Sequence, residues 1–166
     1  VLDADGRPAA DALVVIMATS TANRMTAPVV LQGDAAGHFS TNELAPGEHA
    51  LVAWAPGHAA TPQTFTLSNV PDRPLEIRLG RGATVFGMVQ ASRGRVAVRP
   101  DWANAYRPLA PWCIDRVLCD ETGNYRLEHV PVGGVTLTAE AINEGTRRLD
   151  LTDGQELRCD FVPTAA

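Results

Sequence analysis

Apolar and polar residues alternate with a period of two along most of the chain. Ala12, Val14 and Ile16 share one parity, as do Leu51, Ala53 and Ala55. The same spacing returns at Leu75, Ile77 and Leu79, at Leu137, Ala139 and Ala141, and at Leu157, Cys159 and Phe161. In a strand successive side chains point to opposite faces, so each set predicts a β-strand with one inward face. Turn-forming pairs separate the sets: Asp5-Gly6, Gly33-Asp34, Pro46-Gly47, Pro56-Gly57, Pro71-Asp72, Gly133-Gly134 and Asp153-Gly154. No stretch keeps a helical apolar period over three turns without Gly or Pro. Short strands at this spacing predict an all-β sandwich or barrel.

A shift of 86 residues aligns Asp34–Ala55 with Asp120–Ala141 without a gap. The identities fall on Asp34/Asp120, Gly37/Gly123, Gly47/Gly133, Leu51/Leu137, Ala53/Ala139 and Ala55/Ala141. Phe39 meets Tyr125 and Leu44 meets Val130. These are turn and inward-strand positions, where backbone geometry restricts the residue. Asp34 and Asp120 are expected to bond back to a tight turn in which Gly37 and Gly123 take positive φ. Gly47 and Gly133 prepare a second turn before a long inward strand. Both units are expected to close alike, Leu75-x-Ile77-x-Leu79 matching Leu157-x-Cys159-x-Phe161. Two tandem units follow, 1–81 and 82–166, joined at Gly80-Arg81-Gly82. Val1-Leu2 begins inside a strand, so the first strand is expected to be truncated and the chain to be a fragment or a processed product. The missing signal peptide then says nothing about compartment.

The first unit runs Gly6-x-Pro8-x-x-x-Ala12-x-Val14, Asp34-x-x-Gly37-x-Phe39, Leu44-x-Pro46-Gly47-x-His49-x-Leu51-x-Ala53, then Leu75-x-Ile77-x-Leu79. This resembles the carboxypeptidase regulatory-like domain, a prealbumin-like (transthyretin-like) sandwich that recurs as an accessory module. The resemblance covers nearly all of the first unit. In the second it covers Gly87-Met88-Val89, Asp120-x-x-Gly123-x-Tyr125, Val130-x-Val132-Gly133 and the last strand, but not Arg99–Arg116. It implies two tandem Ig-like, Greek-key antiparallel β-sandwiches. It also implies a non-catalytic structural or interaction module of a larger secreted, periplasmic or cell-surface bacterial protein. Its partners would be other domains of the same chain or another protein.

Composition narrows the chemistry. The 166 residues carry a net charge of −5, and all 14 basic residues are Arg. An acidic chain without a basic block lacks the phosphate-neutralising face of a nucleic-acid binder. No apolar run reaches the 18 residues of a membrane span, so no membrane insertion is expected. Without lysine there is no Schiff-base or lysine-nucleophile chemistry. The histidines His38, His49, His58 and His129 do not recur between units, and none stands in a zinc-ligand spacing. No nucleophile elbow or phosphate-binding glycine loop occurs. No catalytic residue, metal site or cofactor is therefore expected; His49, opposite Val135, is expected to pack at a core edge.

Two groups stand outside the repeat pattern. Nine aromatics occur in the chain, and Trp102, Tyr106 and Trp112 fall within the 15 residues from Arg99 to Cys113, with Arg107 among them. Flat rings with few rotamers to freeze suit stacking on a glycan or a partner surface. The alternative, which is favoured, is that they cover an open end of the second sandwich. Trp54 lies on the opposite parity from Leu51, Ala53 and Ala55, and is expected to point outward onto the other unit or a ligand. Among the cysteines, Cys159 has the inward parity of a buried thiol. Cys113 and Cys119 bracket five residues that a disulfide would close if the chain reverses there; otherwise they are two unrelated thiols.

Overall fold

The structure is a computed structural model of the chain, and it describes residues 1–19, 27–68, 74–90, 94–101, 109, 115–140 and 145–161. Among them are eleven strands. Contacts divide the chain between Arg81 and Gly82 into two compact units. Each residue of this joint is tied into its own unit. Arg81 Nη2 reaches Asp5 Oδ1 at 2.8 Å, and the Gly82 N–H donates to Asp153 Oδ1 at 2.7 Å.

The first unit contains β1 (Leu13–Ala18), β2 (Val29–Gln32), β3 (Gly47–Trp54) and β4 (Thr61–Leu67), in the antiparallel order β2-β1-β3-β4. Val14, Ile16, Leu51 and Ala53 share one face and pack with Val1, Ala9, Ala12, Ile77 and Leu79. Leu2 bridges to Arg78 in parallel. The expected strand Leu75–Leu79 thus exists only as a bridge, although Ile77 and Leu79 are buried as the alternation predicts.

The second unit contains β5 (Ala83–Met88), β6 (Arg95–Pro100), β7 (Asp115–Leu118), β8 (Asn124–Val130), β9 (Gly133–Ala139), β10 (Thr146–Leu151) and β11 (Glu156–Arg158). One sheet has the order β10-β9-β6-β7 and the other β11-β5-β8. Val96, Val98, Val135, Leu137 and Ala139 from the first sheet share a core with Ala83, Val85, Tyr125, Leu127 and Val130 from the second. The all-β class therefore holds. The purely antiparallel expectation does not: Glu156, Leu157 and Arg158 pair in parallel with Thr84, Val85 and Phe86. Parallel partners need a long crossover, and alternation within a strand carries no sign of its direction.

The hydrogen bonds also shift the expected match between the closing segments. Leu2 N–H donates to the Ile77 carbonyl, and Gln90 N–H donates to the Phe161 carbonyl. Ile77 thus corresponds to Phe161 and Leu75 to Cys159, two residues from the expected pairing. An even shift leaves every side chain on its expected face.

Candidate functional site

The recurring turns are the best-defined polar constructions. Asp34 Oδ1 accepts the N–H groups of Ala36 and His38 at 2.8 and 2.9 Å. Asp120 Oδ1 accepts those of Thr122 and Asn124 at 2.9 and 2.8 Å. In both turns the glycine N–H returns to the aspartate carbonyl: Gly37 to Asp34 at 2.9 Å, Gly123 to Asp120 at 3.0 Å. Gly37 and Gly123 have φ of 72° and 88°. A Cβ at either would collide with a backbone carbonyl oxygen, that of Val1 or that of Val89. Gly47 and Gly133 open β3 and β9, with open space where a Cβ would stand.

A third copy of the turn was not recognised from the sequence. Asp3 Oδ1 accepts from Asp5 and Arg7, and Gly6 N–H donates to the Asp3 carbonyl at 3.1 Å. The signal was present as Asp-x-x-Gly, the same spacing as at 34 and 120.

Charge at these turns follows from the bonds. The Thr122 hydroxyl and then the Asn124 N–H hold the Asp120 carboxyl down at about 2. The His38 N–H lowers that of Asp34. A carboxylate whose folded pKa lies below its unfolded value stabilises the fold above the unfolded value and loses that effect as pH falls through the folded one. The contribution of Asp120 is therefore complete above about pH 4 and is lost toward pH 2. Carboxylate NMR should show Asp120 titrating near 2, well below the usual aspartate range. A midpoint at the ordinary value contradicts the turn geometry.

His49 is the most buried polar side chain among the described residues, at 3% exposure. Its ring stacks on Phe65, with centroids 5.2 Å apart, and Nε2 lies 2.8 Å from the Ala45 carbonyl. Nδ1 is buried without a hydrogen-bond partner. This is a packing role at the edge of the core. His38 lies beside Asp34 on the surface, and His58 Nδ1 lies 3.0 Å from the Pro56 carbonyl. Among the described residues no three His, Cys, Asp or Glu side chains gather as metal ligands.

Trp54 corrects the expectation made for it. Its parity is as expected, opposite Leu51 and Ala53, but that face is not a solvent face. Ala50 and Val52 on β3 and Val15 on β1 are fully buried there, and Trp54 is half-buried. The run Ala50-Leu51-Val52-Ala53 is apolar at every position, the mark of a strand covered on both faces.

Trp102, Tyr106, Arg107, Trp112 and Cys113 lie outside the described residues. Asp101, at the entry to that segment, is held firmly. Its carboxylate accepts from Arg148 Nε at 2.7 Å and from Thr136 Oγ1 at 3.0 Å. Burial raises its pKa, but the Arg148 and Thr136 bonds outweigh this and the net direction is down. Leu109, further along, is fully buried. Cys119 is a half-buried free thiol, and Cys159 is a buried free thiol. Burial pushes both thiols up in pKa. The Tyr125 hydroxyl donates to the Cys159 carbonyl.

The geometry thus defines an all-β chain of two units whose recurring residues build turns and cores. No protein-family model matches the chain, and no curated protein matches it. Among solved structures it is similar to the Bacillus anthracis TIE protein, at 12% identity over 96% of this chain and 31% of that one, with a TM-score of 0.40. It is also similar to a streptococcal ancillary pilin, at 14% identity over 98% of this chain and 61% of that one, TM-score 0.38. A third is GBS52, the minor pilin of Streptococcus agalactiae, at 11% identity over 97% and 87%, TM-score 0.37. The chain spans about a third of the TIE protein chain and 61% of the ancillary pilin chain.

Proposed function

We propose that the chain is a non-catalytic structural and interaction module of a larger secreted or cell-surface protein, built from two tandem carboxypeptidase regulatory-like repeats. The observation that carries this reading is the use made of the recurring residues. Asp34 and Asp120 bond the same backbone groups of the same turn. Gly37 and Gly123 admit a carbonyl in each, and Leu51 and Leu137 fill equivalent inward places. What repeats is the means of building a sandwich, which suits a spacer or a docking element. Its partners in this reading are neighbouring domains of the same protein or another protein. Pulling single molecules by their ends tests it. Two separate unfolding events are expected, each releasing on the order of 250 Å of chain at about 3.6 Å per residue. A single event, or extension without a force peak, contradicts a two-module spacer.

A further inference from the structure

The two units differ at one place, and the difference has the shape of a strand. In the second unit β5 lies between β8 and β11, antiparallel to the one and parallel to the other. Its inward residues Ala83 and Val85 are fully buried. It leads into Val89, whose N–H donates to the Gly123 carbonyl. In the first unit the Val1 amino group donates to the Gly37 carbonyl. Val1 therefore holds the place of Val89, and no described residue of the first unit holds the place of Ala83–Met88.

The surroundings of that place are left open. Residues 39–44, the counterpart of β8, form no strand and make no backbone–backbone hydrogen bond among the described residues. Tyr125, Val130, Leu151 and Cys159 are buried in the second unit. Their counterparts Phe39, Leu44, Leu67 and Leu75 are only half-buried in the first. These four side chains, with Ile16 and Phe65, line one groove of about 1060 Å³. One wall is residues 39–44 and the other Pro74-Leu75, the two flanks that β8 and the approach to β11 supply in the second unit.

We propose that this groove is a strand-acceptor site. Its occupant is one extended peptide strand of the Ala83–Met88 type, antiparallel to residues 39–44, with small apolar side chains facing inward. Strand addition satisfies a row of unpaired backbone groups, and alternate side chains supply specificity. The second unit also sets a rule for the sequence. A Cβ at Gly87 would collide with the Cys159 carbonyl oxygen; in the first unit the Leu75 carbonyl holds that position. The accepted strand needs glycine at its fifth residue. The inference stands on the matched hydrogen bonds of the two units and not on a surface role, so either can fail without the other.

A fluorescent peptide carrying the Ala83–Met88 sequence between solubilising arginines, titrated with the intact chain, tests it. Saturable binding is expected, with slowed amide exchange at residues 39–44. The same peptide with Gly87→Ala should bind at least about tenfold more weakly, since one backbone overlap suffices for that factor. A chain with the same six residues fused ahead of Val1 should melt higher and no longer take up the peptide. Absence of saturable binding, equal binding of both peptides, or undiminished binding by the fused chain overturns the proposal.

Discussion

Gly123→Ala should destabilise the second unit by roughly 3 kcal/mol or more, combining left-handed backbone strain with a collision that no side-chain rotation relieves. Gly123 has φ of 88°, and the group a Cβ would strike is the Val89 carbonyl oxygen. Val89 is itself fixed, since its N–H donates to Gly123 and it bridges to Phe161. The strain therefore passes from the turn into the sheet that carries β5. Gly133→Ala supplies the control. Its φ is also 88°, but nothing stands within 4 Å of the added carbon, so only the backbone cost of about 1 kcal/mol applies. Urea denaturation of the two variants should separate them clearly. Equal losses contradict the close approach at Gly123.

Phe161→Ala should cost about 3–5 kcal/mol, the range for removing a buried aromatic side chain from a well-packed core. Phe161 is 1% exposed and heads the fully buried side chains by volume. Its ring lies 6.1 Å from that of Tyr125, and the Arg147 guanidinium sits 5.6 Å from its centroid. Its backbone joins the edge of β5 through Met88 and Gln90. Removing the ring leaves a void between elements that have no other large residue to fill it. The shift should appear in the urea midpoint of the second unit, with the first unit's transition unchanged. A loss below about 1 kcal/mol would mean that the site collapses onto Tyr125.

Much of this architecture was legible in the residues. The turns at Asp34 and Asp120 carry a local signal, because one carboxylate and one glycine suffice to define them. The inward parity of Leu51, Ala53, Leu137 and Ala139 follows from alternation alone. What escaped was long-range. Nothing within Glu156–Arg158 shows that it runs parallel to β5, and the two-residue shift of the closing segment rests on which carbonyl meets Leu2 and Gln90. The misplacement of Trp54 has a different cause. Alternation was taken from Leu51 and Ala53, while Ala50 and Val52 between them already formed an unbroken apolar run. The turn at Asp3 was missed although its Asp-x-x-Gly spacing matches the other two. The open groove could be found only by laying one unit on the other, since Phe39, Leu44 and Leu75 look like ordinary core residues in sequence.

The account rests on two units of one design, of which the second has its central strand and the first offers the place for one. Segment-resolved amide hydrogen exchange on the intact chain measures that directly. Residues 125–130, paired with β5, should exchange slowly, while residues 39–44 should exchange near the rate of an unpaired chain. Equal protection of the two segments would contradict the account.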